Sequence, residues 1–198
     1  MSEENIDYAL GLMNISRRQM RSRDREVFST LIELHSDNHH LMGDLSRVIT
    51  FMCRLQPPEF VFVSFAVELD RFVTQKICDA RLHDSNRELS RELGFISSFV
   101  QQLCHVLLTA NEAKQIRDVL KDCIGNAKEK EVRKSRIFHI LLSTFSHNLI
   151  ATTSLCLWGG AFRSAYLFLQ QIDPLDISLV FLVELDKLVE LIERPLFR

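Results

Sequence analysis

Four dense apolar segments follow one another in IFHILLSTF (137–145), NLIATTSLCLW (148–158), AFRSAYLFLQQI (161–172) and DPLDISLVFLVELDKLVELI (173–192). The joints between them are so short that each segment must fold back on the one before. Ser146-His147-Asn148 makes the first joint, Gly159-Gly160 the second and Asp173-Pro174 the third. Glycine enters the left-handed conformation past a helix C-terminus, asparagine or aspartate caps a following N-terminus, and proline fits the first helical position. These are the stop and start signals of a stacked helical array. No side-chain group in the stretch has the make-up of a reaction centre, so packing is what organises the chain.

Composition agrees with that reading. The 198 residues are 46% hydrophobic and 25% charged, enough to bury a core. Six glycines and four prolines are too few for the turns of a sandwich or barrel. The expected fold is all-α: stacked antiparallel helical hairpins, an α-solenoid segment. A formal net charge of -2 argues against a nucleic-acid partner, because backbone recognition runs on excess Lys and Arg. Cys53, Cys78, Cys104, Cys123 and Cys156 are an odd set with no C-x-x-C, which points to a reducing compartment and no zinc framework. The polar, acidic start MSEENIDY lacks the pattern of a signal peptide, and the apolar runs fall short of the roughly 20 residues of a membrane span. Any membrane contact is therefore expected to be peripheral or through a partner.

Working outward from the apolar stretch, residues 1–23 read as a polar, Arg-rich lead and residues 24–198 as a helical scaffold domain. The lead has a weak apolar pattern at Ile6, Leu10, Met13 and Met20. Its cluster Arg17, Arg18, Arg21, Arg23 and Arg25 is either a solvated helix face or a contact for an anionic surface. Val27, Phe28, Leu31, Ile32 and Leu34 predict a first helix with one buried face, and Leu41, Leu45, Val48, Ile49 and Met52 a second. After Pro57-Pro58, Phe60, Phe62 and Val63 alternate like a strand, but Phe65, Leu69 and Phe72 follow helical spacing and no second strand is available nearby, so helix is expected. A flexible joint is expected near 79–88, at Asp84-Ser85-Asn86.

Leu89 to Leu107 returns to helical periodicity, Thr109 or Asn111 can cap the next helix, and Gly125-Asn126 ends it. The charged run that follows reads as a solvated helix start with pairs such as Glu129–Arg133. In the last segment Asp173 can cap, Ile177, Phe181, Leu185, Leu188 and Ile192 line one stripe, and Glu184, Asp186, Lys187 and Glu190 lie mostly off it. FAVELDRFV (65–73) is echoed by FLVELDKLV (181–189), the kind of repeated surface chemistry an α-solenoid contains.

Nothing in this pattern predicts catalysis. There is no H-E-x-x-H, no G-x-x-x-x-G-K-[ST] and no G-x-G-x-x-G, and Glu184, Asp186 and Glu190 lack an E-x-x-H partner. Cys104 and His105 are adjacent and so diverge around a helix. No catalytic, cofactor-binding or metal-binding residue is assigned. The remaining class is an adaptor, with Trp158, Phe162, Tyr166, Phe168 and Phe197 as contact candidates, although aromatics at helical spacing also serve as core.

Three runs point further: ELHSDNHHL (33–41), SHNLIATTSLCL (146–157) and FLVELDKLVELIERP (181–195). Together, in this order, they resemble the carboxy-terminal region of the vacuole-morphology scaffold family, the HEAT-repeat subunit of the phosphatidylinositol 3,5-bisphosphate kinase complex. The chain differs in lacking the family's long run of amino-terminal repeats, in 57–86, and in the glycines after Trp158. The resemblance implies that the solenoid segment is HEAT-like and that it is a non-catalytic scaffold, without cofactors, that self-associates. It would hold the FYVE-type phosphatidylinositol 3-phosphate 5-kinase and a Sac-domain phosphoinositide phosphatase together on the cytoplasmic face of endosomal or vacuolar membranes. It places protein contacts around His147, Asn148, Trp158, Leu185, Asp186, Lys187 and Leu188, to which Tyr166 and Phe197 are added from the aromatic candidates above. The alternatives are a peripheral membrane module using Arg17–Arg25, or a structural domain of an unrelated assembly.

Overall fold

A computed structural model describes residues 25–83, 86–121, 123–124, 132–171 and 179–193, and every regular element among them is helical. In chain order these are α1 (residues 25–37), a 3-10 turn His39–Leu41, α2 (Met42–Leu55), α3 (Pro58–His83) and α4 (Asn86–Thr109). A second 3-10 turn, Asn111–Ala113, leads to α5 (Lys114–Leu120), followed by α6 (Val132–Phe145), α7 (Leu149–Trp158), α8 (Phe162–Gln170) and α9 (Leu179–Glu193). Arg17, Arg18, Arg21, Arg23, Asp84-Ser85, Gly125-Asn126, Glu129, Asp173-Pro174 and Phe197 lie outside the described residues. So do the side chains of Arg133, Phe181, Glu184, Lys187 and Ile192.

The longest helix, α3, is the centre of the stack and packs against α2, α4 and α6. Pro58 occupies its first position, where a missing N–H leaves no bond unmade. The strand-like alternation after it is absorbed into the helix. With no strand to pair with, the backbone is satisfied only by intrahelical bonds, and Val61, Phe62, Phe65, Ala66, Leu69 and Val73 are then buried while Phe60 is exposed. Phe28 of α1 meets Phe65 edge-on at 4.7 Å, Phe65 lies 5.7 Å from Phe99 of α4, and Phe99 lies 5.8 Å from Phe95. This chain of rings joins three helices. Each such pair contributes about 0.5–1.5 kcal/mol beyond its buried area.

Polar groups buried between helices are matched. Thr144, fully buried on α6, shares its hydroxyl proton between Asp70 Oδ1 at 2.8 Å and Ala66 O at 3.1 Å, both on α3. The buried His35 ring donates from Nδ1 to Leu31 O at 2.7 Å, which fixes its tautomer.

Two expectations are corrected. Val27 and Leu34 do not join the buried face of α1: they are 50% and 43% exposed, and the core side is made by Phe28, Ile32, His35 and Ser36. Seven residues apart, Val27 and Leu34 share a strip of their own beside that of Phe28 and Ile32. Thr109 and Asn111 do not cap α5 either. Thr109 Oγ1 donates back to His105 O, and neither the turn at Asn111–Ala113 nor α5 has a side-chain cap. The end of α4 is instead held by Arg117, whose buried guanidinium donates to Leu107 O at 2.8 Å and Ala110 O at 2.6 Å.

Candidate partner-binding surface

The two joints around α7 connect it to α6 and to α8. Asn148 is the N-cap of α7, its Oδ1 accepting from Ala151 N at 2.9 Å, while its Nδ2 donates to Ser97 Oγ of α4 at 3.0 Å. One side chain therefore starts the helix and fastens it to a neighbour. α7 is apolar on all sides and is buried almost throughout. Its hydroxyls are satisfied along the helix, Thr152 by Phe145 O and Asn148 O, Thr153 by Leu149 O and Ser154 by Ile150 O.

At the other end the chain reverses through a Schellman motif. Ala161 N donates to Cys156 O at 2.8 Å, Gly160 N to Leu157 O at 3.3 Å, and Gly160 takes a left-handed φ of 75°. Gly159 is needed for a different reason: a Cβ there would sit 2.5 Å from Phe138 Cε2 of α6. A Gly159→Ala chain is thus expected to be destabilised by about 1–3 kcal/mol, the usual range for overpacking, as read from its urea midpoint. An unchanged midpoint would show that the Phe138 ring moves aside at no cost.

Beyond this reversal the packing becomes one-sided. Eight of the fourteen large hydrophobic side chains exposed among the described residues lie on α8 and α9. Phe162 and Tyr166 of α8 are 63% and 60% exposed, and Leu179 of α9 is 77% exposed. Leu167, Leu169, Leu182, Val183 and Val189 complete the set. The exposed Asp186 and Glu190 share α9 with them. On α8 only Ala165 is buried, and among the described side chains of α9, which packs on α7, Leu188 is buried. Both helices pack on α7, and exposed apolar side chains gathered in this way are how a protein-binding surface presents itself.

Against the residues predicted from sequence, Tyr166 and Asp186 are exposed, His147 and Leu185 are half-buried, and Asn148, Trp158 and Leu188 are not available to a partner. Asn148 is consumed by its cap, and Trp158, 7% exposed, donates from Nε1 to Arg117 O at 2.8 Å. Leu182, Val183 and Val189 were missed. The signal was present: α9 is apolar at 179, 182, 183 and 189 as well as at 185 and 188, more apolar positions than one buried stripe needs. Arg25, the described member of the arginine cluster, pairs with Glu68 Oε1 at 3.2 Å.

The buried Cys53, Cys104 and Cys156 are poor nucleophiles. Burial pushes the Cys104 thiol up to about 12 and those of Cys53 and Cys156 up to about 11, so all three remain protonated at neutral pH. Among the described residues no three His, Cys, Asp or Glu side chains come together as a metal site. Among the same residues, no single helix is long and apolar enough to cross a membrane.

The family described as "Vacuolar protein 14 C-terminal Fig4p binding" matches residues 38–198. The chain belongs to this family. A Protein VAC14 homolog of Arabidopsis thaliana is 38% identical over 98% of this chain and 28% of the plant protein. The Protein VAC14 homolog of Schizosaccharomyces pombe is 27% identical over 85% of the chain and 18% of its own length. Vacuole morphology and inheritance protein 14 of Saccharomyces cerevisiae is 28% identical over 52% of the chain and 11% of its own length. The chain thus spans less than a third of these curated relatives. No solved structure matches it. The family match begins at Asn38 and so includes α7, α8 and α9, where the exposed apolar area lies.

Proposed function

We propose that this chain is a non-catalytic scaffold module that binds a Sac-domain phosphoinositide phosphatase, of the Fig4p type that the family description names, through the outer surface of α8 and α9. The observation that supports it most directly is the concentration of exposed apolar side chains on those two helices, within the stretch matched by the Fig4p-binding family. The core behind the surface is tightly determined by the Asn148 cap and the Gly159-Gly160 reversal, so the two helices are presented on a rigid base. Self-association and the FYVE-type phosphatidylinositol 3-phosphate 5-kinase complete the assembly in this reading. It works at the cytoplasmic face of endosomal or vacuolar membranes, with the lipid chemistry left to the bound enzymes.

The test is capture of the purified phosphatase by the full chain and by a Tyr166→Asp, Leu182→Asp double variant. Both positions are exposed, so stability should stay within about 0.5 kcal/mol per site while affinity falls at least about tenfold. A Leu55→Asp chain, altered at an exposed apolar position on α2, should bind normally. Full-strength capture by a folded double variant would remove α8 and α9 as the contact.

A further inference from the structure

We infer that Asp186 is the charge that selects the partner of α9: the segment of the phosphatase covering this helix is apolar and brings a lysine or arginine to the Asp186 carboxylate. This rests on the reading of α8 and α9 as the contact surface. Successive residues of a helix are about 100° apart, so positions three, four and seven along share a side. The buried Leu188 marks the inner side of α9, with the half-buried Leu185 next to it. The exposed Leu182, Val183, Asp186 and Val189 occupy the opposite arc, with Leu182 and Val189 on one flank of Asp186 and Val183 on the other. Asp186 is central lengthwise too, midway between Leu179 and Glu193 at the ends of the helix. Its neighbours four and three residues before and three after are 48%, 48% and 47% exposed apolar side chains.

The helix itself gives no reason for an aspartate there. Aspartate is a poor residue for a helix interior, and its charge is favoured only in the first turn. Among the described residues Asp186 takes part in no ion pair. Any partner that takes Leu182, Val183 and Val189 out of water also takes the carboxylate they surround. Enclosing a carboxylate without a counter-charge is opposed strongly enough to cancel what a few apolar side chains contribute. A wholly apolar partner is thereby rejected, and so is an acidic one. A guanidinium or ammonium in the middle of an apolar segment satisfies both requirements. The exposed Glu193, seven residues on, repeats the charge along the same line. A single polar group in an apolar helix face fixes in this way which segment fits and in which register.

Titration calorimetry of the purified Sac-domain phosphatase against the full chain tests this, alongside a Leu182→Ser, Val189→Ser chain that removes apolar contact without adding charge. Asp186→Asn is expected to weaken binding about tenfold and Asp186→Lys at least about a hundredfold. Thermal unfolding should be unchanged, because the side chain is exposed. The serine variant should bind weakly as well. Glu26→Lys, the same change of net charge at an exposed position on α1, should bind as the unaltered chain does. Weak binding by the serine variant with unchanged or tighter binding by Asp186→Asn overturns the inference and leaves the α8 and α9 contact standing. Equal losses for Glu26→Lys and Asp186→Lys overturn it too, because the attraction would then act at long range. So does a loss confined to the Asp186 variants, which would put the carboxylate outside any apolar contact. Full binding by the serine variant and by both Asp186 variants removes α9 as the contact, and the reading beneath falls with it.

Discussion

A Phe99→Ala chain is expected to lose about 3–5 kcal/mol of folding stability, the range for removing a fully buried phenylalanine from a core that cannot collapse around the gap. Phe99 is completely buried on α4 and stands where three helices meet. Its ring lies 5.7 Å from Phe65 of α3, 5.8 Å from Phe95 of α4 and 6.3 Å from His35 of α1. Truncation therefore removes hydrophobic transfer energy, leaves a cavity bounded by rigid rings and breaks three aromatic contacts together. Domains of this size are held by about 5–15 kcal/mol in total, so the loss is a large fraction of the whole. Urea unfolding followed by circular dichroism measures it, with the exposed Phe51→Ala as the comparison expected to stay within about 0.5 kcal/mol. A loss below about 1 kcal/mol for Phe99→Ala would mean that the ring chain is not what joins α1, α3 and α4.

The second large effect is expected at Arg117. Burial lowers the pKa of this guanidinium from the ordinary arginine value, while the neighbouring Asp118 charge acts the other way. Its guanidinium is matched by backbone carbonyls, Leu107 O and Ala110 O, at the negative end of α4. The two acceptors are not equivalent: Ala110 O also receives Ala113 N, whereas no other bond to Leu107 O is found among the described residues. An Arg117→Met chain keeps most of the apolar stem and is expected to lose about 1–3 kcal/mol, the cost of leaving one buried carbonyl unmatched, partly offset by no longer burying a cation. Arg117→Ala removes the stem as well and is expected to lose about 2–5 kcal/mol. The same turn is fastened to α7 through Trp158, which donates to Arg117 O, and through Ile124 N, which donates to Gly159 O at 3.1 Å. The difference between the two variants in thermal or urea unfolding separates stem packing from hydrogen bonding. Equal and small losses would show that the carbonyls are satisfied by water instead.

These two residues mark the boundary of what could be read from the chain. Phe99 was visible as part of an apolar helical stripe, because its spacing from Phe95, Ile96 and Leu103 is a local property. Arg117 was not, because an arginine next to Asp118 on a short helix reads as solvent-facing, and only the fold of α5 under the end of α4 turns it inward. Asn148 and Gly159-Gly160 were legible as a cap and a stop, since both act within a few residues of themselves. Their second roles, the Asn148 bond to Ser97 and the closeness of Gly159 to Phe138, depend on helices far away in sequence and leave no local trace.

The candidate surface divides in the same way. The residues of ELHSDNHHL, SHNLIATTSLCL and FLVELDKLVELIERP, in that order, were enough to bring out the family resemblance, and the helical period with its glycine and proline punctuation was enough for the fold class. Which side of each helix meets water was not determined by that period, because α8 and α9 are apolar on more than one side. Packing against α7 took Leu188 and Ala165 inward and left Tyr166, Leu182 and Val183 outside. Sequence by itself set the start of α7 at Asn148 and the reversal at Gly159-Gly160, because those signals act over one turn of backbone, but not the start of α5, which has no side-chain cap. Tertiary structure alone decided which apolar side chains became core and which remained exposed, because that choice rests on the shape of neighbouring helices, up to 78 residues away along the chain in the case of Thr144 and Ala66.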